Sequence, residues 1–152
     1  MRFQHILEKI YFSPWFITPE AYQSVCKLVE SKLSDAAFAD GGTDALEMIV
    51  RQRNPATIDS NGIGHINILG VLGNKMSKIE ESCGNTDYQR VASEISSLLE
   101  SKCKAIMFDI DSPGGTVSGN AELVDLVQSI DVPTMAFTDS RMCSAAYNIG
   151  AS

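Results

Sequence analysis

The chain has 152 residues, with 12 Lys and Arg against 19 Asp and Glu, so its formal charge is −7 at pH 7. That length suits one domain with at most a small appendage, and 44% hydrophobic against 20% charged residues is the composition of a chain that folds, which excludes wholesale disorder. The acidic balance argues against a binder of nucleic-acid backbone, which needs a basic face to displace counterions, and no apolar run is long enough to span a membrane.

Met1 to Tyr11 carries His5, Glu8 and Lys9 where a secretory leader needs an unbroken apolar core, so no export signal is expected there. Thr18-Pro19 is a helix-start signal, a capping hydroxyl followed by a ring whose missing N–H costs nothing in the first turn. Tyr22, Val25, Val29 and Leu33 follow at helical spacing to a stop near Ser34, which makes residues 1–34 a helical N-terminal region. Residues 35–61 read as a variable linker: Gly41-Gly42, Asn54-Pro55 and Asp59-Ser60-Asn61-Gly62 are turn chemistry around one weak helical patch at Leu46–Val50. The main domain is expected over 62–152.

Within it, Ile63–Leu72 is β-rich and partly alternating, and Ala105–Ile110 is a short apolar run suited to a buried strand. Between them Thr86-Asp87-Tyr88-Gln89 fits a capping box, and Tyr88, Val91, Ile95, Leu98 and Leu99 stripe a helix that ends near Glu100. A second helix is expected over Val117–Ile130, its buried side marked by Val117, Ala121, Val124, Val127 and Ile130. Pro133 then opens a strand through Phe137, and a polar turn through Asp139, Ser140 and Arg141 leads into a last helix. Strand, helix, strand, helix, strand, helix is the order of an α/β layer on a largely parallel sheet. Cys26, Cys83, Cys103 and Cys143 show no CxxC pair and no nearby His, so they read as four reduced thiols and not as a metal set.

Chemistry concentrates in two segments. Asp109-Ile110-Asp111-Ser112-Pro113-Gly114-Gly115-Thr116 lies at the C-terminal end of a strand and before a helix, where open α/β sheets bind ligands. Adjacent glycines there leave backbone N–H groups uncovered, the raw material of an oxyanion hole, although a tight strand-to-helix turn needs the same residues. A phosphate cradle fits less well, because no GK[ST] follows and Asp109 and Asp111 would repel an anion. Met142-Cys143-Ser144-Ala145-Ala146-Tyr147 is the second segment: Ser144 stands at a strand-turn-helix junction, as a nucleophile at a helix N-terminus or as a simple N-cap. Gly115 and Ser144 are 29 residues apart, enough for a helix and a strand, so a crossover would bring both loops to one sheet edge.

The pairing of DIDSPGG with SAAY after GHINILGVL resembles peptidase family S49, the signal peptide peptidase A-like serine peptidases, and within it the single-domain phage branch of head-maturation and capsid-assembly proteases. Ser13-Pro14-Trp15-Phe16-Ile17 is similar to an N-terminal segment of that branch. The resemblance implies a ClpP/crotonase-like ββα superhelix, here incomplete at its C-terminus, with Ser144 as nucleophile and Gly114 and Gly115 as the oxyanion hole. It implies an extended polypeptide substrate, a capsid or scaffold protein, lying beside the strand edges near Thr116 and Gly62–Leu72, with Thr116 and Ala145 touching it. It also implies a homo-oligomer in the host cytoplasm or the assembling prohead, with no cofactor, metal or nucleic acid. Asp109 and Asp111 are assigned to turn and strand-end structure.

The base that resemblance implies is a lysine of depressed pKa, well downstream of the serine and beyond Ser152. Lys75, Lys78, Lys102 and Lys104 do not match its position, and His5 and His65 precede the serine instead of following it. The chain as given is therefore expected to be inactive, with an uncovered sheet edge and helix face. Two other readings stay open: a non-catalytic assembly or scaffold component that binds extended peptides, and a crotonase-type acyl-CoA enzyme that uses the glycine amides on a thioester.

Overall fold

The computed structural model describes residues 8, 10–34, 55–77, 80–81 and 84–152. His5, Lys78, Cys83 and the Leu46–Val50 patch lie outside the described residues, as do the side chains of Val29 and Leu33.

In chain order the elements are β1 (Trp15–Ile17), α1 (Pro19–Ser34), β2 (Thr57–Ile58), β3 (Ile63–Leu69), β4 (Leu72–Gly73), β5 (Thr86–Asp87), α2 (Tyr88–Glu100), β6 (Ala105–Asp111), β7 (Gly114–Thr116), α3 (Asn120–Gln128), β8 (Thr134–Phe137) and α4 (Ala145–Gly150). Among the described residues the strands form two four-stranded sheets, ordered β1-β7-β4-β5 and β2-β3-β6-β8. β3, β6 and β8 run parallel, so their C-terminal ends share one edge. The loops that leave them gather there. No helix among the described residues is long and apolar enough to cross a membrane.

Period-two patterning builds the core. Alternate residues of β3 and β6 point inward, so that Ile66, Ile68, Ile106, Phe108 and Ile110 are buried. Onto them pack Val91, Ile95 and Leu98 of α2, Leu123 and Val127 of α3, and Ala146 and Ile149 of α4. Each large side chain so buried contributes about 1.5–3 kcal/mol relative to exposure.

Several boundaries differ from the sequence reading, each for a local reason. Ile63–Leu72 is not one strand: the chain turns at Gly70 and Val71, and Leu72 continues in the other sheet beside Gly115. The Gly114–Thr116 turn is itself a strand, paired on both sides. The capping box at Thr86 is not formed; Asp87 caps α2 by accepting from Gln89 N–H, while Thr86 Oγ1 accepts from Leu69 N–H and donates to the Leu69 carbonyl. The second main helix begins at Asn120, leaving Val117 and Ala121 exposed and burying Asn120, Leu123 and Val127 instead. α1 starts at Pro19 as expected, with Thr18 Oγ1 accepting from Ala21 N–H at 3.4 Å. Cys26, Cys103 and Cys143 are free thiols.

Candidate active site

The site is assembled around Ser112, the residue that follows β6. Its hydroxyl donates to the Gly70 carbonyl at 2.6 Å and accepts from Gly114 N–H at 3.1 Å. Its own N–H donates to the Arg141 carbonyl at 2.9 Å, and its carbonyl accepts from Cys143 N–H at 3.1 Å. Ser112 thus fastens the β3–β4 turn, the β6–β7 turn and the segment after β8 to one another. Residues 141–143 run beside it as a parallel bridge, Ser112 to Met142, which delivers Ser144 to the same edge.

Ser144 sits at φ 53°, ψ −121°, a conformation that side chains rarely adopt. It occupies the N-cap position of α4 but makes no capping hydrogen bond with its side chain, so the plain N-cap alternative is not what the structure shows. The hydroxyl has no partner among the described residues. From the far side, Asn120 Nδ2 donates to the Ala145 carbonyl at 3.0 Å, and Asn148 Nδ2 donates to Asn120 Oδ1 at 2.7 Å. Strain at Ser144 is therefore held by bonds to the residues around it.

The two glycines are required by close approach. A Cβ on Gly114, itself at φ 104°, would lie 2.8 Å from the Ser144 Cβ and 3.1 Å from Ile17 Cα. A Cβ on Gly115 would lie 2.6 Å from the Leu72 Cβ and strike the Leu72 main chain. The structure thus brings Gly114 and Ser144 into contact range at one sheet edge. The expectation of two bare glycine amides is corrected, however: Gly114 N–H is held by Ser112 Oγ, and Gly115 belongs to the ladder between β7 and β1. The N–H of Ala145, first in α4, has no partner among the described residues, because an intrahelical acceptor does not exist there.

Thr116 and Ala145 are both buried. The Thr116 hydroxyl donates to the Ser118 carbonyl at 3.1 Å, and the Thr116 carbonyl accepts from Tyr88 Oη at 2.8 Å. Burial pushes the Tyr88 phenol well above its ordinary pKa, so it stays a donor to that carbonyl. Asp111 pairs with Arg141 at 3.3 Å on the surface, in keeping with a strand-end role. His65 lies in the first half of β3, level with Met107, and meets Asp59 at 3.5 Å. Lys102 and Lys104 flank the start of β6, the opposite end of that strand from Ser112, and Lys75 is exposed in the turn after β4.

Ser112, Asn120 and Tyr88 went unassigned in the sequence reading of the site. Ser112 stood inside the DIDSPGG run, and nothing marked it apart from its neighbours. A polar residue at the first position of α3 and an aromatic at the head of α2 were signals of a kind, but neither discloses a partner that is distant in sequence.

No family model matches the chain. An 89-residue stretch, 57% of this chain, is 27% identical to the head-tail preconnector protein GP5 of Enterobacteria phage P21. That stretch covers 18% of GP5, so the chain spans less than a fifth of the relative it matches. The chain is distantly similar to a phage head-tail protein and has a mixed α/β fold.

Proposed function

We propose that this chain carries the nucleophile of a serine endopeptidase resembling family S49, on a ClpP/crotonase-like fold, that cleaves proteins of an assembling phage head. The observation that carries the reading is Ser144: strained, uncapped, half-buried, and set against Gly114 at the shared end of the parallel strands. A sharp, strained strand-to-helix turn is how the α/β-hydrolases expose a nucleophilic serine. The succession of a long strand, short pairing in the second sheet and a helix, in β3-β4-β5 to α2 and in β6-β7 to α3, supports the fold proposed. The distant phage relative supports the setting, in the host cytoplasm or the prohead.

In this reaction Ser144 Oγ attacks the scissile carbonyl carbon and passes its proton to a base. Charge on the tetrahedral oxygen is met by backbone N–H groups: that of Ala145 follows Ser144 directly, and that of Gly115 becomes available only when β1 leaves it; one such donor is worth about 3–4 kcal/mol of barrier. Collapse breaks the C–N bond, the amine leaves with a proton, and water releases the acyl group from Ser144. The resemblance makes the base a lysine, and none of the described lysines stands beside Ser144.

Treatment with a fluorophosphonate tests the reading, because that reagent reports nucleophilicity without requiring peptide turnover. Without a base beside it the serine should react slowly at most, so any adduct that tandem mass spectrometry finds should lie on Ser144 ahead of every other serine and be abolished by Ser144→Ala, whereas fast labelling would show that a base is present in the chain. Adducts on surface serines with none on Ser144 would refute acyl transfer. The position of His65, Lys102 and Lys104 away from Ser144 favours a second reading, a non-catalytic assembly component that binds extended peptides through the same edge. It predicts peptide binding that Ser144→Ala leaves unchanged.

A further inference from the structure

β1 is the unexpected element at this site. Trp15–Ile17 lies antiparallel along Gly114–Thr116, with Trp15 opposite Thr116, Phe16 opposite Gly115 and Ile17 opposite Gly114. Val117 N–H donates to the Pro14 carbonyl and Thr18 N–H to the Pro113 carbonyl, both at 3.2 Å. Those flanking bonds make Phe16 and Gly115 the hydrogen-bonded pair between them, so Gly115 N–H points at the Phe16 carbonyl. The same carbonyl, the Ile17 Cα and the Ser144 Cβ all lie within 3.1 Å of the point where a Gly114 Cβ would stand.

We infer that Trp15–Ile17 occupies the place of a peptide substrate, as a displaceable strand of the chain's own, and that a substrate enters by adding to Gly114–Thr116 in its stead. This rests on the reading of that edge as the peptide-binding edge. Three features point the same way. The pairing of β1 with β7 is main-chain to main-chain, which any extended peptide reproduces. The side-chain anchors of β1 lie within its own N-terminal region: Trp15 Nε1 donates to the Ile10 carbonyl at 3.0 Å, its ring meets Tyr22 at 5.9 Å between centroids, and Tyr22 Oη donates to the same carbonyl at 3.0 Å. Phe16, the residue opposite Gly115, is 43% exposed and is not locked into the core. The strand is thus held to the site by bonds that a competitor can replace, on a helix that can carry it away as a unit. A tethered segment competes at an effective concentration of about millimolar, so a free peptide of ordinary affinity meets an edge already filled.

The experiment uses a fluorescein-labelled peptide of the sequence of residues 11–20 with Trp replaced by Phe, titrated by anisotropy into the whole chain and into Phe16→Pro. Proline removes the N–H that Phe16 contributes to the ladder and disfavours the strand. The variant should bind the peptide at least about tenfold more tightly than the parent. In the parent chain, hydrogen exchange at the amides of Phe16 and Thr18, which face Gly115 and the Pro113 carbonyl, should speed up in step with binding as β1 leaves. Equal affinity of the two chains, absence of binding to a folded Phe16→Pro, or saturation of the parent with no faster exchange at those amides would overturn the inference. If Phe16→Pro fails to fold, the exchange measurement on the parent decides alone. Neither readout needs Ser144 to react: displacement with fluorophosphonate adducts on other serines but none on Ser144 would sink acyl transfer only, and an adduct on Ser144 without displacement would sink the internal strand only.

Discussion

Ser112→Ala isolates one hydroxyl on which the site's geometry depends. The variant keeps both main-chain bonds of Ser112, to Arg141 and Cys143, and removes only the Oγ that joins the Gly70 carbonyl to Gly114 N–H. Ser112 is 0% exposed and its bond from Gly114 N–H is buried, so that donor is left in the interior without a replacement, while the carbonyl of half-buried Gly70 is within reach of water. An unsatisfied buried donor or acceptor costs about 1–3 kcal/mol, so one such group plus the lost bond to Gly70 amounts to about 2–3 kcal/mol. That is a large share of the roughly 5–15 kcal/mol by which a domain of this kind is stable. Urea unfolding followed by far-ultraviolet circular dichroism measures it, with Ser129→Ala as the control, since the Ser129 hydroxyl bonds the Leu126 carbonyl at an exposed helix end and its loss should cost no more than about 0.5 kcal/mol. Fluorophosphonate labelling of Ser144 should also slow in Ser112→Ala, because Gly114 is no longer fixed against it. A loss indistinguishable from that of Ser129→Ala would show that Ser112 does not organise these turns.

Ser144→Gly should be more stable than Ser144→Ala by about 1 kcal/mol, because glycine tolerates φ 53° while alanine inherits the strain; urea midpoints that favour alanine would contradict the strained assignment. Asp59 accepts from the N–H groups of Ile63 and Asn61, each at 2.9 Å, and chiefly the Ile63 bond holds its carboxyl below the ordinary carboxylate range. A lowered folded-state pKa gives stability that is full above the unfolded value and is lost as pH falls through the folded one, so the parent should weaken below about pH 4 and Asp59→Asn should weaken less steeply over that window; parallel urea-midpoint curves would exclude the effect.

Much of the main domain was legible because burial is written at short range. Tyr88, Val91, Ile95 and Leu98 recur at helical spacing, and their buried faces follow directly. The alternation in β6 is equally local, as is the Thr18-Pro19 start of α1. What escaped depends on partners distant in sequence. Nothing in Ile63–Leu72 says that Gly70 and Val71 divide it between two sheets, since that division follows from Leu72 pairing with Gly115. Nothing in Val117 says that it stays outside α3, because Asn120 is drawn inward by the Ala145 carbonyl. The glycine pair and Ser144 were found as motifs, but the motif does not disclose that Ser112 takes one of the amides or that Trp15–Ile17 covers the other.

A turn that served connection alone would favour glycine at position 144, where a serine costs of order 1–3 kcal/mol in backbone strain. The bonds that offset this cost are main-chain bonds on one side, Ser112 with Arg141 and Cys143, and an amide pair on the other, Asn120 with Ala145 and Asn148. None of them engages the serine hydroxyl. The fold therefore stabilises the position of residue 144 while leaving its hydroxyl uncommitted, and it does so beside the Ala145 N–H, which has no acceptor among the described residues. On the proposed reading, a donor and an alcohol left without partners next to each other are complementary to a third group that carries both an electrophilic carbon and an oxygen. A peptide carbonyl has that form, and the Phe16 carbonyl, which pairs with Gly115 and passes close to Gly114, shows that such a group reaches this edge.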